Sequence, residues 1–475
     1  MDAPRFLNRH DELAALQDHW ERPEASFFVV WGRRRVGKTE LLAHFARTRR
    51  SLYLEATDTT ERNQLAALSA ELSAASGNPL YAQAPLPSWA AALTAVAELA
   101  RGSAEPLLVV LDEFQYLAGR QPELPTLLNR WWRETGRSLP LMLVIAGSAL
   151  SFFRDEVLAG RMYGRRTGQL AVRPFDHAAA ALFAPGRSPA DLVRTYAVCG
   201  GMPYYLQAFD DAAPLADHIL RHVLYRDGFL HEEAELLLRQ ELAEPRAHVA
   251  VLEAVASGRT RTSEVANATG LGASQASQVL GALERLELVA QRRPVTASPS
   301  SKKTSWAIVD GFLSFCFRFV EPYRSRLRTR EEARRHLAGT VMPQLDHFVS
   351  KPAWEAICLE HMHRAERAAT AGAWWGKVRV APRRTEEREV DGATLDDAGN
   401  VTALASCKWT SSPMGVAEAA YLTEMQQHIP GAEGARRLYL YSRSGFGARL
   451  ARLAEEAPDR YRLLTPADVY AQTAA

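Results

Sequence analysis

The chain has 475 residues, too many for one ordinary core, so two to four domains are expected. Its 47% hydrophobic and 24% charged content is that of a soluble globular protein, and a formal net charge of +2 leaves no global field for nucleic acid or an acidic membrane, so any basic patch must be local. The four cysteines (Cys199, Cys316, Cys358, Cys407) form no CxxC pair, which argues against a disulfide framework and against zinc.

The first residues, MDAPRFLNRHDEL, hold no apolar core of signal-peptide length, and the longest apolar stretch, LPLMLVIAGSALSFF, is too short and interrupted to span a bilayer. A cytoplasmic location without a membrane partner is expected. Only six of the 57 basic residues are lysines, at positions 38, 302, 303, 351, 377 and 408. A lysine is therefore more informative than usual, because an ammonium and a guanidinium are not interchangeable in a tight site.

Residues 27–31 read as a buried strand, and 39–47 as a helix with Leu41, Leu42 and Phe45 on its apolar face. Between them lies GRRRVGKTE: Gly32, Arg33, Arg34, Arg35, Val36, Gly37, Lys38, Thr39 and Glu40. The spacing of Gly32, Gly37, Lys38 and Thr39 is that of a P-loop, whose backbone N–H groups cradle phosphates at a helix N-terminus. Lys38 would reach the β- and γ-phosphates of ATP and the Thr39 hydroxyl would bind Mg²⁺. The three arginines either assist phosphate binding or lie solvated on the outer face of the loop.

Residues 51–55 form a second strand, and 107–111 an apolar run ending in Asp112 and Glu113. Acids at the carboxyl end of a buried parallel strand stand where open α/β sheets bind ligands. Asp112 would hold the Mg²⁺ shell and Glu113 would polarise the attacking water. A fourth strand, 141–146, ends at Ser148, which would contact the γ-phosphate or that water; 169–173 completes a β/α alternation over residues 1–180.

Six blocks, NRHDEL (8–13), GRRRVGKTELL (32–42), LVVLDEFQYL (108–117), VIAGSALSFF (144–153), YGRRTGQLAVRPF (163–175) and GGMPYYL (200–206), occur in the order seen in the archaeal-type ATPases of the AAA+/STAND group, which this region resembles. The resemblance implies an ATP-binding domain with a helical lid (181–245) that places Gly200, Gly201 and Pro203 near the nucleotide. It also implies that Arg165 or Arg166 acts near the γ-phosphate. His10 departs from the pattern, which has Glu there.

Three short helices, 248–255, 262–270 (with Thr262 as its cap) and 274–288, precede a polar stretch, QRRPVTASPSSKKTSWAIVD, in the pattern of a winged helix over 246–310. Gln275, Ser277 and Gln278 are its candidate groove contacts and Lys302 and Lys303 its phosphate contacts; the alternative is a module that braces a neighbouring domain. In the helical linker 311–350, YRSRLRTREEARRH (323–336) is either a nucleic-acid contact or a solvated helix face laced with glutamates.

In the last segment, 351–475, Glu389 and Asp391 share one face of a strand, and Lys408 shares a face of the next with Ser406. A carboxylate and an ammonium together suit metal-dependent phosphodiester cleavage. KPAWEAICLE, REVD, CKW and LYLYSRSGF resemble the PD-(D/E)xK nuclease core of the domain of unknown function that follows archaeal-type ATPase domains. That resemblance implies roles for Glu355, Asp391 and Lys408. It is broken at Ser406, where the family has an acid, and Glu389 is the candidate substitute. The expected partners are ATP, then DNA or RNA, and a second copy or another protein. The expected activity is Mg²⁺-dependent ATP hydrolysis that controls a nuclease; the alternative is an ATP-switched scaffold with a catalytically impaired nuclease-like domain, or a regulator whose winged helix reads DNA.

Overall fold

The structure, a computed structural model, describes residues 6–473 apart from Arg161, Tyr163, Ala243 and Pro299. Tyr163, in one of the six blocks, and Pro299, in the expected wing, thus lie outside the described residues. The chain divides into two compact units. The first runs to Pro174 and takes in Met202–Tyr204; the second comprises Phe175–Gly201 and everything from Tyr205 onward.

The first unit is built on strands β1 (Ser26–Trp31), β2 (Ser51–Glu55), β3 (Leu107–Asp112), β4 (Leu141–Gly147) and β5 (Gly168–Ala171), all parallel, in the order β2-β3-β4-β1-β5. Every residue of β1, β3 and β4 is buried, the consequence of helices covering both faces of a parallel sheet, and that is why these strands read as unbroken apolar runs. The edge strand β2 instead alternates, with Leu52 and Leu54 inward. β5 starts one residue before the expected 169, and its pairing extends to Val172, whose N–H donates to the Trp31 carbonyl at 2.8 Å. The carboxyl ends of β1, β3 and β4 therefore lie side by side on one edge of the sheet.

In the second unit, the helices Arg246–Ala256, Thr262–Thr269 and Ala273–Arg285 are followed by an antiparallel pair, β6 (Val289–Arg292) and β7 (Ser305–Ile308). Val279, Leu280 and Leu283 supply the buried stripe of the third helix, as its spacing requires. Thr262 does not cap the second helix. The cap position is Arg261, whose N–H, like that of Thr260, is taken by the Glu264 carboxylate (3.1 Å each), while the Thr262 hydroxyl accepts Trp306 Nε1 at 3.0 Å.

The C-terminal sheet is mixed: β8 (Thr370–Ala381), β9 (Arg384–Leu395), β10 (Val401–Lys408), β11 (Arg437–Ser442) and β12 (Tyr461–Leu464), in the order β12-β11-β10-β9-β8. β8, β9 and β10 pair antiparallel, while β10, β11 and β12 pair parallel. The β9–β10 turn is closed by Asp396, whose carboxylate accepts the N–H groups of Ala398 (3.0 Å) and Asn400 (2.8 Å), with Gly399 at φ +82. Leu404, Leu422, Leu438, Leu440 and Leu450 are fully buried between this sheet and its helices, which holds β9 and β10 rigid beneath the second candidate site.

Candidate functional sites

The loop after β1 approaches the backbone so closely that only glycine fits at its start: a Cβ on Gly32 would stand 2.4 Å from the Val172 carbonyl oxygen. Gly37, at φ +90, caps the helix Lys38–Ala46. Lys38 is buried, and its ammonium donates to the carbonyls of Gly32 (3.0 Å) and Arg33 (3.1 Å), folded back over the loop that would hold phosphate. Thr39 Oγ1 donates to Asp112 Oδ2 at 2.7 Å, so the two expected Mg²⁺ ligands are already in contact.

Asp112 is fully buried. Its Oδ1 accepts the Glu113 N–H (2.8 Å), and its Oδ2 also accepts the Tyr53 hydroxyl (2.9 Å). Burial and then the Asp112 charge push the Tyr53 pKa far up, so it remains a donor. The Glu55 carboxyl at the end of β2 is also raised, by burial first and then by Asp112, Glu113 and Glu40. A hydroxyl beside a carboxylate in such an anionic surround is a donor set that fits a hard divalent cation.

Glu113 adopts φ +51, which turns its side chain toward β4. There Ser148 Oγ donates to Glu113 Oε2 at 2.8 Å, and Gln115 Nε2 donates to the same oxygen and to Ser148 (3.3 Å). The structure thus brings Lys38, Thr39 and Asp112 together, and places Ser148 directly on Glu113. It does not place Arg165 or Arg166 in that group: Arg165 donates to Asn129 (3.2 Å) and Arg166 to the Leu158 carbonyl (2.9 Å).

The three loop arginines are tethered, so the picture of solvated side chains gives way. Arg33 is buried, Arg34 donates to the Tyr116 hydroxyl (2.8 Å), and Arg35 lies 4.0 Å over the Tyr204 ring. Glu40, by contrast, is exposed in the first turn of its helix, and Val36 is fully buried. The segment Met202–Tyr204 also brings Pro203 beside Gly37. Arg9, missed as a functional residue, donates to the carbonyls of Val36 (2.7 Å) and Arg173 (2.9 Å) and so pins the loop from beneath. Its only sequence signal is its place in the NRHDEL block.

In the C-terminal sheet, Asp391 Oδ2 accepts the Cys407 N–H at 2.7 Å and faces Lys408 Nζ at 3.3 Å. Ser406 Oγ stands 3.5 Å from the same oxygen but donates at 2.8 Å to Glu418 Oε2, a carboxylate on the helix Val416–Met425 that also lies 3.7 Å from Lys408. The carboxylate that meets Ser406 and Lys408 is thus Glu418, not the expected Glu389. Glu389 is turned to Lys351 instead, at 3.2 Å. Glu355 is partly buried, and its pKa is raised to about 8 by burial first and then by the Asp391 charge. Lys408 is held above its ordinary value: burial alone would lower it, but Asp391 and Glu418 prevail.

Two segments of the chain match known families. Residues 6–209 match a family described as an ATPase domain predominantly from Archaea, and residues 316–421 match one described as Archaea bacterial proteins of unknown function. An uncharacterized protein of Methanocaldococcus jannaschii is 26% identical over 408 residues, 85% of this chain and 87% of that one. An uncharacterized ATP-binding protein of the same organism is 45% identical over 40 residues, 8% of this chain and 68% of its own. The fold is similar to that of a Walker-type ATPase of Pyrococcus abyssi, with a TM-score of 0.50 and 19% identity, covering 66% of this chain and 96% of that one. Residues 6–209 are thus similar to a family of ATPase domains, on a parallel five-stranded sheet followed by a helical segment and a mixed-sheet domain.

Proposed function

We propose that the chain is a Mg²⁺-dependent ATP hydrolase whose nucleotide state controls its C-terminal domain. The observation that carries this reading is the 2.7 Å bond between Thr39 and Asp112 beside the buried Lys38. Mg²⁺, held by Thr39 and Asp112, would neutralise charge on the β- and γ-phosphates. Lys38 exchanges two carbonyl partners for phosphate oxygens, a stronger, charge-assisted pairing. Glu113, released from Ser148, orients the attacking water and accepts its proton, and Ser148 and Gln115 control when that carboxylate is available. Arg9 keeps the loop in shape through the Val36 carbonyl. Arg165 and Arg166 are the candidates to reach the γ-phosphate from their positions ahead of β5.

For the output, Asp391, Lys408 and Glu418 support a nuclease-like reading, with the Glu418 carboxylate standing in for the acid missing at Ser406. Asp391 and Glu418 would hold a divalent cation and Lys408 would orient the nucleophile. The exposed Gln275, Ser277 and Gln278, with Lys302 and Lys303 on the β6–β7 connection, offer a winged-helix route to nucleic acid. Cleavage of single-stranded and duplex DNA and of RNA, with Mg²⁺ or Mn²⁺ and with or without ATP, tests the reading. Cleavage lost in Lys408→Ala and in Glu418→Gln, and losing its ATP dependence in Lys38→Ala, is the expected result. The second reading is an ATP-switched scaffold or DNA-binding regulator, favoured by Ser406: no cleavage under any condition, with ATP hydrolysis intact, would select it.

A further inference from the structure

The arginine-rich run 323–336 surrounds a cavity of ≈390 Å³ in the second unit. A 3-10 turn (Glu321–Arg326), the short helix Arg330–His336 and the turn Leu337–Val341 build it. Arg326, Arg328 and Arg335 line it, together with the hydroxyl-bearing Tyr323, Ser325 and Thr340.

The arginines of this run fall into two groups. Arg324 is committed to Glu321 (2.7 Å), Glu235 (3.4 Å) and the His231 carbonyl (3.1 Å), and Arg330 to Asp227 (2.7 Å). The side chains of Arg326 and Arg328, by contrast, make no hydrogen bond or ion pair among the described residues, and both line the cavity. Arg335, also in the lining, is loosely paired with Glu331, at 4.0 Å with both side chains at least 70% exposed, and its charge also acts on Glu332.

The one carboxylate in the wall does not neutralise them. Glu332 is turned to its own helix cap, accepting the N–H groups of Arg328 (3.1 Å) and Thr329 (2.8 Å) and the Thr329 hydroxyl (3.0 Å). His336 adds no charge: burial holds its pKa below the ordinary value while Nε2 donates to the Phe319 carbonyl at 2.7 Å. Its ring lies 4.6 Å from that of Tyr323 and fixes the position of that phenol. Arg326 and Arg328 thus face one concavity with no counter-charge of their own, beside an Arg335 held only loosely by Glu331.

A guanidinium fork matches the oxygens of a phosphate, and neighbouring hydroxyls complete such a site. The volume falls in the ~300–1,000 Å³ range of ligand sites and is enough for about one nucleotide unit. Ser325, Arg326, Arg328 and Arg335 are all exposed, so the mouth is open, as a continuous strand requires. We propose that this pocket binds the phosphodiester backbone of a nucleic-acid strand, a role separate from the β6–β7 connection and independent of the ATP-binding reading.

Fluorescence anisotropy of labelled DNA and RNA oligonucleotides with the full chain, in the absence of ATP and across a salt series, tests this. Each phosphate contact contributes about 0.7–0.9 to the slope of log affinity against log salt. The double variant Arg326→Gln/Arg328→Gln is expected to reduce the slope by about 1.5 and weaken binding about tenfold at low salt. Thermal melting of the variant, expected to match the parent because neither side chain is bonded, shows that the fold is retained. Unchanged binding by the double variant, or no oligonucleotide binding by the parent chain, overturns the proposal. So does a slope lost in Lys302→Gln/Lys303→Gln but kept in the arginine variant. Displacement of the oligonucleotide by stoichiometric pyrophosphate would identify a small-phosphate site and overturn it as well.

Discussion

Replacing Glu355 with Gln should make the protein more stable, and increasingly so as pH rises from about 5 to about 8. Glu355 opens the helix Glu355–Glu366, and its carboxyl is raised from an ordinary 4.5 to about 8 by burial first, then by Asp391, with Glu389 adding to the shift and Lys351 and Arg292 opposing it. Between those two values the folded chain holds a proton that the unfolded chain has lost. Stability therefore falls as pH rises through that window, by at most about 1.4 kcal/mol per pH unit. From about pH 5 to about pH 8 this accumulates to roughly 3–4 kcal/mol, an upper bound because the group keeps some contact with water. Gln carries no such proton. Urea unfolding followed by tryptophan fluorescence should show Glu355→Gln and the parent nearly equal at pH 5 and diverging until pH 8, the variant being the more stable. The comparison belongs to the transition of the second unit, because a chain of two units need not unfold in one step. Millimolar Mg²⁺ should shrink the gap at pH 8 if the neighbouring carboxylates bind a cation, since a bound cation favours the ionised form. Parallel pH profiles for the two proteins would refute the argument.

Gly32→Ala places a methyl group 2.4 Å from the Val172 carbonyl oxygen and should cost about 1–3 kcal/mol, with weaker nucleotide binding because the Gly32 carbonyl also seats Lys38; thermal melts and nucleotide titration check both. Asp346→Asn should destabilise the second unit by about 1–2 kcal/mol at pH 7, measured by the same unfolding assay. Burial alone would raise the Asp346 carboxyl, but bonds from Arg194, Arg443 and Trp409 hold it down to about 2. Its contribution is therefore present above about pH 4 and lost as pH falls through 2, where variant and parent should converge.

The first sheet was legible because its central strands β1, β3 and β4 are buried on both faces and its candidate chemistry sits at their ends, so apolar runs stopping at Gly32, Asp112 and Ser148 mark both. What sets the side chains' partners was not legible. Arg34 meets Tyr116, and Arg35 meets Tyr204, through tertiary packing across long stretches of chain. Glu418 was invisible for the same reason: it lies on the helix after β10, and only packing of that helix on the sheet brings it to Ser406, whereas the alternation rule pointed to Glu389. Thr262 shows a local rule losing to a tertiary one, since the Trp306 indole takes the hydroxyl that capping would have used.

The central claim is that the loop around Lys38 holds Mg²⁺–ATP and that Glu113 drives its hydrolysis. Calorimetric titration of ATP in the presence of Mg²⁺, paired with phosphate release, tests it on the parent chain, Lys38→Ala and Glu113→Gln. The account predicts that the parent binds and hydrolyses ATP, that Lys38→Ala loses binding, and that Glu113→Gln binds while its turnover falls at least about a hundredfold. Binding unchanged in Lys38→Ala, or turnover unchanged in Glu113→Gln, would contradict it.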